Sequence, residues 1–147
     1  MPFDPLSTGA AAGHVATGRN DGPHPAIPAC VRILVAARIA QRERVLSGAR
    51  NGLTKPCKLW TGAQSKGGKR PKSGPYGSIR IPGFGSVRVH VAAAWAAGII
   101  DEPRLPEGMN LDHGCERTLC IEHGHYSLIP ALDNQKLRWS RRKTRAL

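Results

Sequence analysis

Leu111 to Asn134 reads L-D-H-G-C-E-R-T-L-C-I-E-H-G-H-Y-S-L-I-P-A-L-D-N. Two sets of metal-seeking side chains are interleaved in it. Cys115, Cys120 and His125 form a C-x4-C-x4-H run. Thiolates and an imidazole are the donors that structural zinc prefers. Asp112, His113 and Asn134 are of a different kind. An Asp and an Asn offer oxygen to a harder cation, and an adjacent His can take a proton from water. A chain built on this stretch is held by a metal staple rather than by a large core.

Closed structural zinc sites take four ligands from Cys and His. Cys57 is the natural fourth, because a strand after the preceding linker can fold back over the loop. His123 is the rival, but it stands two residues from His125, a spacing that seldom brings both imidazoles to one tetrahedron. The four cysteines, Cys30, Cys57, Cys115 and Cys120, could in principle pair as two disulfides. Their clustering with His favours metal instead. Cys30, at the start of an apolar stretch, reads as a small apolar residue.

The elements around the stretch follow from pattern. Met109–His113 reads as a strand, Tyr126–Ile129 as its return strand, and Ala131 to about Arg142 as a helix preceded by Pro130. Upstream, Cys57–Gly62 reads as a short strand anchored by Trp60. Tyr76–Ile81 and Ser86–His90 read as strands around the turn Pro82-Gly83-Phe84-Gly85. An Ala-rich helix runs from about Val89 to Ala97 and ends at Gly98. Residues 29–46 carry Val31, Leu34, Val35, Ile39 and Val45 at helix-like spacing, with Ser47-Gly48 as the stop and a linker over 49–56. Residues 1–28, rich in Gly, Ala, Pro, Ser and Thr, read as a flexible tail in which His14 and His24 are solvated. The expected fold class is α+β: a small zinc-stabilised hairpin-and-helix core, a preceding antiparallel sheet and short helices.

The 147 residues carry a formal net charge of +12. Such an excess on a short chain predicts an anionic partner, most simply nucleic acid. No long apolar run is available to span a bilayer. Met1–Gly13 has neither the basic start nor the apolar core of a secretory signal, which points to an intracellular protein, in a bacterial cytoplasm or a nucleus. Aromatic residues make up 5% with only two Phe, so a large aromatic core cannot form, and small folds with thin cores commonly lean on a metal.

The segment D-H-x-C-x4-C-x4-H followed by Asn134 resembles the HNH and His-Cys-box homing endonucleases of the His-Me finger (ββα-metal) superfamily. C-K-L-W-T-G, Y-G-S-I-R-I, V-H-V-A-A-A-W and P-E-G-M-N-L-D-H occur upstream in the order of small phage-type HNH proteins. The likeness covers about three-fifths of the chain, from Cys57 to Arg142. It implies a domain over 57–147 with a basic C-terminal helix, after the 1–28 tail and a 29–56 helix and linker. It implies that His113 is the general base and that Asp112 and Asn134 hold a catalytic Mg2+ or similar cation. Cys57, Cys115, Cys120 and His125 match its structural zinc ligands. Arg80 matches a basic position that touches the scissile phosphate, with an ordinary DNA-backbone contact as the alternative. His90 falls where the family often has His, and a packing or hydrogen-bonding role suits it. Glu122-His123-Gly124 departs from the usual Asn-Pro-x, in which the Asn orders the loop beneath the catalytic His.

The expected partner is double-stranded DNA, bound by Lys66, Lys69, Arg70, Lys72, Arg80 and Arg88 and, from the C-terminal helix, by Arg138, Arg141 and Arg142. A homodimer is one route to a double-strand break. Two other readings accommodate the charge: a zinc-stabilised DNA-binding protein without cleavage activity, and an RNA-binding zinc protein. The latter leaves Asp112, His113 and Asn134 without a role.

Overall fold

The structure, a computed structural model, describes residues 26–65 and 74–145. The expected tail up to residue 25 and the basic residues Lys66, Lys69, Arg70 and Lys72 lie outside the described residues. The fold is α+β with small antiparallel sheets. Helix α1 (Ala29–Ala40) leads into strand β1 (Glu43–Ala49), which pairs with β2 (Pro56–Trp60). A second sheet has the order β3 (Gln64–Ser65), β4 (Tyr76–Ile81), β5 (Gly85–Arg88). Helix α2 (Val89–Ala96) follows, and then the hairpin β6 (Met109–His113) and β7 (Tyr126–Pro130), joined through a 3-10 turn at His123–His125. Helix α3 (Ala131–Arg145) packs on that hairpin. Among the described residues no helix is long and apolar enough to cross a membrane.

The first helix differs from the sequence expectation, and Gln64–Ser65, expected as the start of a loop over 63–73, is strand β3. The helix that spacing extends to Leu46 stops at Ala40, and most of the rest, with part of the expected linker, is strand β1. Pairing explains the change. Glu43, Arg44 and Val45 lie opposite Trp60, Leu59 and Lys58, and the Thr61 N–H and hydroxyl both donate to the Arg42 carbonyl, at 2.8 and 2.9 Å. A ladder with β2 satisfies more backbone than another helical turn would, so tertiary context overrides local periodicity.

Helix α2 is the centre of the core. Seven of its residues, Val89 to Trp95, are buried; small alanines let neighbours approach closely. Val35 and Ile39, one turn apart on α1, pack into the same cluster with Trp60, Ile79 and Ile81. Arg32 locks the two helices together. It donates to the carbonyls of Trp95 (2.8 Å) and Ile100 (3.2 Å), and its guanidinium lies 5.4 Å from the Trp95 ring centre.

Gly77 on β4 lies against Trp60 and Val89, and a methyl group added there would strike both side chains. Gly77→Ala therefore over-packs a fully ordered contact and is expected to cost about 1–3 kcal/mol. Urea unfolding measures this, and an unchanged midpoint would show that the β4–α2 contact has slack.

Candidate metal centre and adjoining cleft

Cys57, Cys115, Cys120 and His125 meet in one buried group, with their ligand atoms all within 4.8 Å of one another. Backbone pairing brings them there. Leu59 of β2 bridges Cys120, Trp60 N–H donates to the Leu119 carbonyl (2.9 Å) and Ile121 N–H donates to that of Lys58 (2.7 Å). Strand β2 thus lies along the loop between β6 and β7, and Cys57 reaches the other three. The rival His123 is exposed and is not one of the four. Cys30 is exposed on α1, apart from them.

The imidazole of His125 is oriented from behind. Its Nε2 lies 3.0 Å from the Lys55 carbonyl. A carbonyl only accepts, so Nε2 carries the proton and Nδ1 turns its lone pair toward the sulfurs. Nδ1 is 3.4 Å from Cys120 Sγ and 3.8 Å from Cys57 Sγ. Zinc–sulfur and zinc–nitrogen bonds of about 2.3 and 2.0 Å require tetrahedron edges of roughly 3.5–3.8 Å. The group can hold a metal ion, and its donor set fits structural zinc.

The thiols report the same demand electrostatically. Burial, and then Cys115 beside it, pushes the Cys57 thiol up. Cys120 is pushed up as well, first by its hydrogen bond to Cys115 and then by burial. Cys115 is held down at about 4, chiefly because Cys120 donates to it. One thiolate at this site is favourable, but three cannot coexist without a cation between them.

Glu122 orders the loop beside the metal group. Its buried carboxylate accepts from Gly124 N–H (3.3 Å), capping the 3-10 turn that carries His125. Lys55 and Lys58 stand 3.9 Å from its two oxygens. A buried carboxylate thus ties the turn to two lysines.

Next to the metal group lies an open cleft of about 380 Å3 whose lining includes Asp112, His113 and Asn134. Asp112 and His113 end β6, and α3 crosses the hairpin so that Asn134, Arg138, Arg141 and Arg142 enter the same lining. Those helix positions recur at the three- and four-residue spacing that puts side chains on one helix face. His113 Nδ1 is 2.7 Å from the Arg117 carbonyl and so carries the proton, leaving Nε2 as a free acceptor. The same carbonyl accepts from Cys120 N–H (3.1 Å).

Two features of the cleft depart from the sequence expectation. First, Arg141 grips Asp112 with two parallel bonds of 2.8 Å each, and its Nε stands 3.8 Å from Glu116. This bidentate fork joins residues 29 apart in sequence, which no local pattern reveals. Second, Arg80 is not among the cleft residues; it lines a separate depression with Arg38 and Arg42. Arg80 and Tyr76 do share one side of β4, but they stand four positions apart along the strand. His90, for which the sequence suggests packing or hydrogen bonding, is buried in the wall of the cleft. Its ring meets His113 edge-on, with centroids 4.9 Å apart. Burial foremost, and then His113 and Arg88, drives its pKa down to about 3, so it stays neutral at pH 7. Its Nδ1 is buried with no hydrogen-bond partner among the described residues. The signal was a lone polar residue among the apolar positions of V-H-V-A-A-A-W.

Compared with family models, with curated proteins and with solved structures, the chain matches none.

The metal group makes a direct prediction. Purified protein carries one zinc per chain, and Cys120→Ala loses both the zinc and the fold, since structural zinc contributes on the order of 10 kcal/mol to folding. Cys30→Ala, at an exposed thiol apart from the group, keeps both. Metal analysis with circular dichroism reads the outcome. A metal-free wild type that stays folded would contradict it.

Proposed function

We propose that this chain is a divalent-metal-dependent DNA endonuclease of the HNH or homing type. Its β6–β7 hairpin and α3 would form the ββα-metal core, and the Cys3His group would act as a structural zinc staple. The observation that carries the reading is the cleft: His113, with Nδ1 tied to a loop carbonyl and Nε2 free, lies in one lining with Asp112, Asn134 and several arginines.

The chemistry follows from those groups. Arg88, Arg138 and Arg142 offer positive charge to a phosphodiester in the cleft. His113 Nε2 accepts a proton from the attacking water, and the Arg117 carbonyl stabilises the imidazolium that results. Asp112 and Asn134 are the oxygen ligands that would hold the divalent cation, a donor pair that suits Mg2+. When bound, that cation offsets charge on the phosphate and on the leaving 3'-oxygen. The Asp112 carboxylate is paired with Arg141 in this structure, so the cation and that guanidinium compete for the same oxygens. Arg141, once released, is a further phosphate donor. His90, neutral and packed against His113, keeps a second positive charge away from the base.

The Arg141–Asp112 pair also favours a second reading, a zinc-stabilised DNA-binding protein without cleavage. A cleft whose carboxylate is permanently neutralised by its own arginine binds phosphate but takes up no cation.

Supercoiled plasmid incubated with protein and Mg2+ decides between them. Wild type is expected to nick or linearise it, and His113→Ala to slow the reaction at least about 100-fold. Plasmid bound but uncut by either protein would favour the second reading. Equal cutting by both would remove His113 from its role.

A further inference from the structure

The depression away from the cleft has a distinct chemistry. It measures about 450 Å3; its polar lining is Arg38, Gln41 and Arg42 from α1 and its end with Ser78, Arg80 and Ser86 from the β4–β5 hairpin, over an apolar floor of Trp60, Ala63 and Ile79. Three guanidinium-bearing residues share one hollow. Among the described residues no carboxylate forms an ion pair with any of them. Arg141 in the cleft is neutralised by Asp112, whereas among the described residues these three charges have no such partner. The Ser78 and Ser86 hydroxyls, 3.1 Å apart, add neutral donors.

The hollow and the cleft are separate, but one side of the β4–β5 hairpin runs from one to the other. On β4, Tyr76, Ser78 and Arg80 alternate with the core residues Gly77, Ile79 and Ile81. Across the ladder, Arg88 lies opposite Ser78 and Ser86 opposite Arg80. All five polar residues therefore stand on one side of the hairpin. Its Tyr76 and Arg88 end, with the guanidinium 4.6 Å from the Tyr76 ring centre, lines the cleft. Its Arg80 and Ser86 end lines the hollow. Helix α1 is held over that end, since Arg38 Nη1 donates to the Arg80 carbonyl (3.1 Å).

We infer that the Arg38–Arg42–Arg80 hollow is a second phosphate-binding site, which engages the backbone of the same duplex that enters the cleft and makes α1 part of the nucleic-acid interface. Arg80 stands four positions along the strand from Tyr76, a reach of about 13 Å at ~3.3 Å per residue. That is about four base pairs along a duplex at ~3.4 Å each. A polymeric anion fits a strip of this length, whereas a single free phosphate would use only one end. The inference rests on the nucleic-acid half of the proposed function and not on cleavage.

The test is duplex binding by fluorescence anisotropy across a salt series, without added Mg2+, so that binding is read apart from cutting. Each phosphate contact adds about 0.9 to the slope of log affinity against log salt. Arg42→Ala/Arg80→Ala is expected to lower that slope by about 1.8 and to weaken binding. Arg44→Ala/Arg50→Ala removes the same charge from exposed positions outside the hollow and should change the slope by less than half as much. If the alanine pair lowers the melting temperature, Arg42→Gln/Arg80→Gln repeats the measurement on a folded protein. An unchanged slope, or an equal loss in the Arg44/Arg50 control, would overturn the inference. So would binding to phosphatidylserine vesicles that depends on Arg42 and Arg80 while duplex binding does not. Failure to cut plasmid would count against the endonuclease reading alone.

Discussion

The structure depends on four donor atoms brought together from two distant parts of the chain. Cys57 comes from β2, and Cys115, Cys120 and His125 come from the loop between β6 and β7. Around them the apolar support is slight: Leu46, Leu53 and Leu59 are the partly buried hydrophobics packed against the three thiols. Three buried sulfurs resist ionising together, and a cation would relieve that conflict while closing the loop. The main core around α2 packs against other parts of the sheets, so the two halves of the fold are held by different forces.

The metal group also sets the cleft. Residue 117 lies on the loop between two of the ligands, and its carbonyl holds both Cys120 N–H and His113 Nδ1. Gly114 N–H donates to the His125 carbonyl (2.9 Å), which closes the loop at the end of β6. Tyr126 donates its hydroxyl to the Cys120 carbonyl (2.7 Å) and stacks obliquely near His113. An imidazole on a surface strand would sample several rotamers. Here the loop that carries the ligands restrains it. Loss of the staple should therefore disorient His113 even though no sulfur touches it.

How much of this the sequence discloses varies with the physics behind each part. The β6–β7–α3 order is readable because alternation, a Pro at the junction and helix spacing are local signals. The ligand set is readable because few residue types bind zinc and their spacing is short; only Cys57 needed a fold argument, supplied by β2 pairing with the Leu119–Ile121 segment. Strand β1 is not readable, since Glu43–Ala49 becomes a strand only through its partner β2. The Arg141–Asp112 fork is likewise hidden, because it depends on how α3 crosses the hairpin. Arg80 shows a further limit: strand alternation gives its side of the sheet but not its distance from the cleft. The role of Glu122 is also hidden in the sequence, since its cap on the 3-10 turn appears only once the loop is folded.

The central claim is that the four donors hold zinc. X-ray absorption at the zinc edge on purified protein tests it most directly. The account predicts a first shell of three sulfurs at about 2.3 Å and one nitrogen at about 2.0–2.1 Å. A shell of nitrogen and oxygen alone, or a zinc-free protein with its buried cysteines joined as a disulfide, would contradict it.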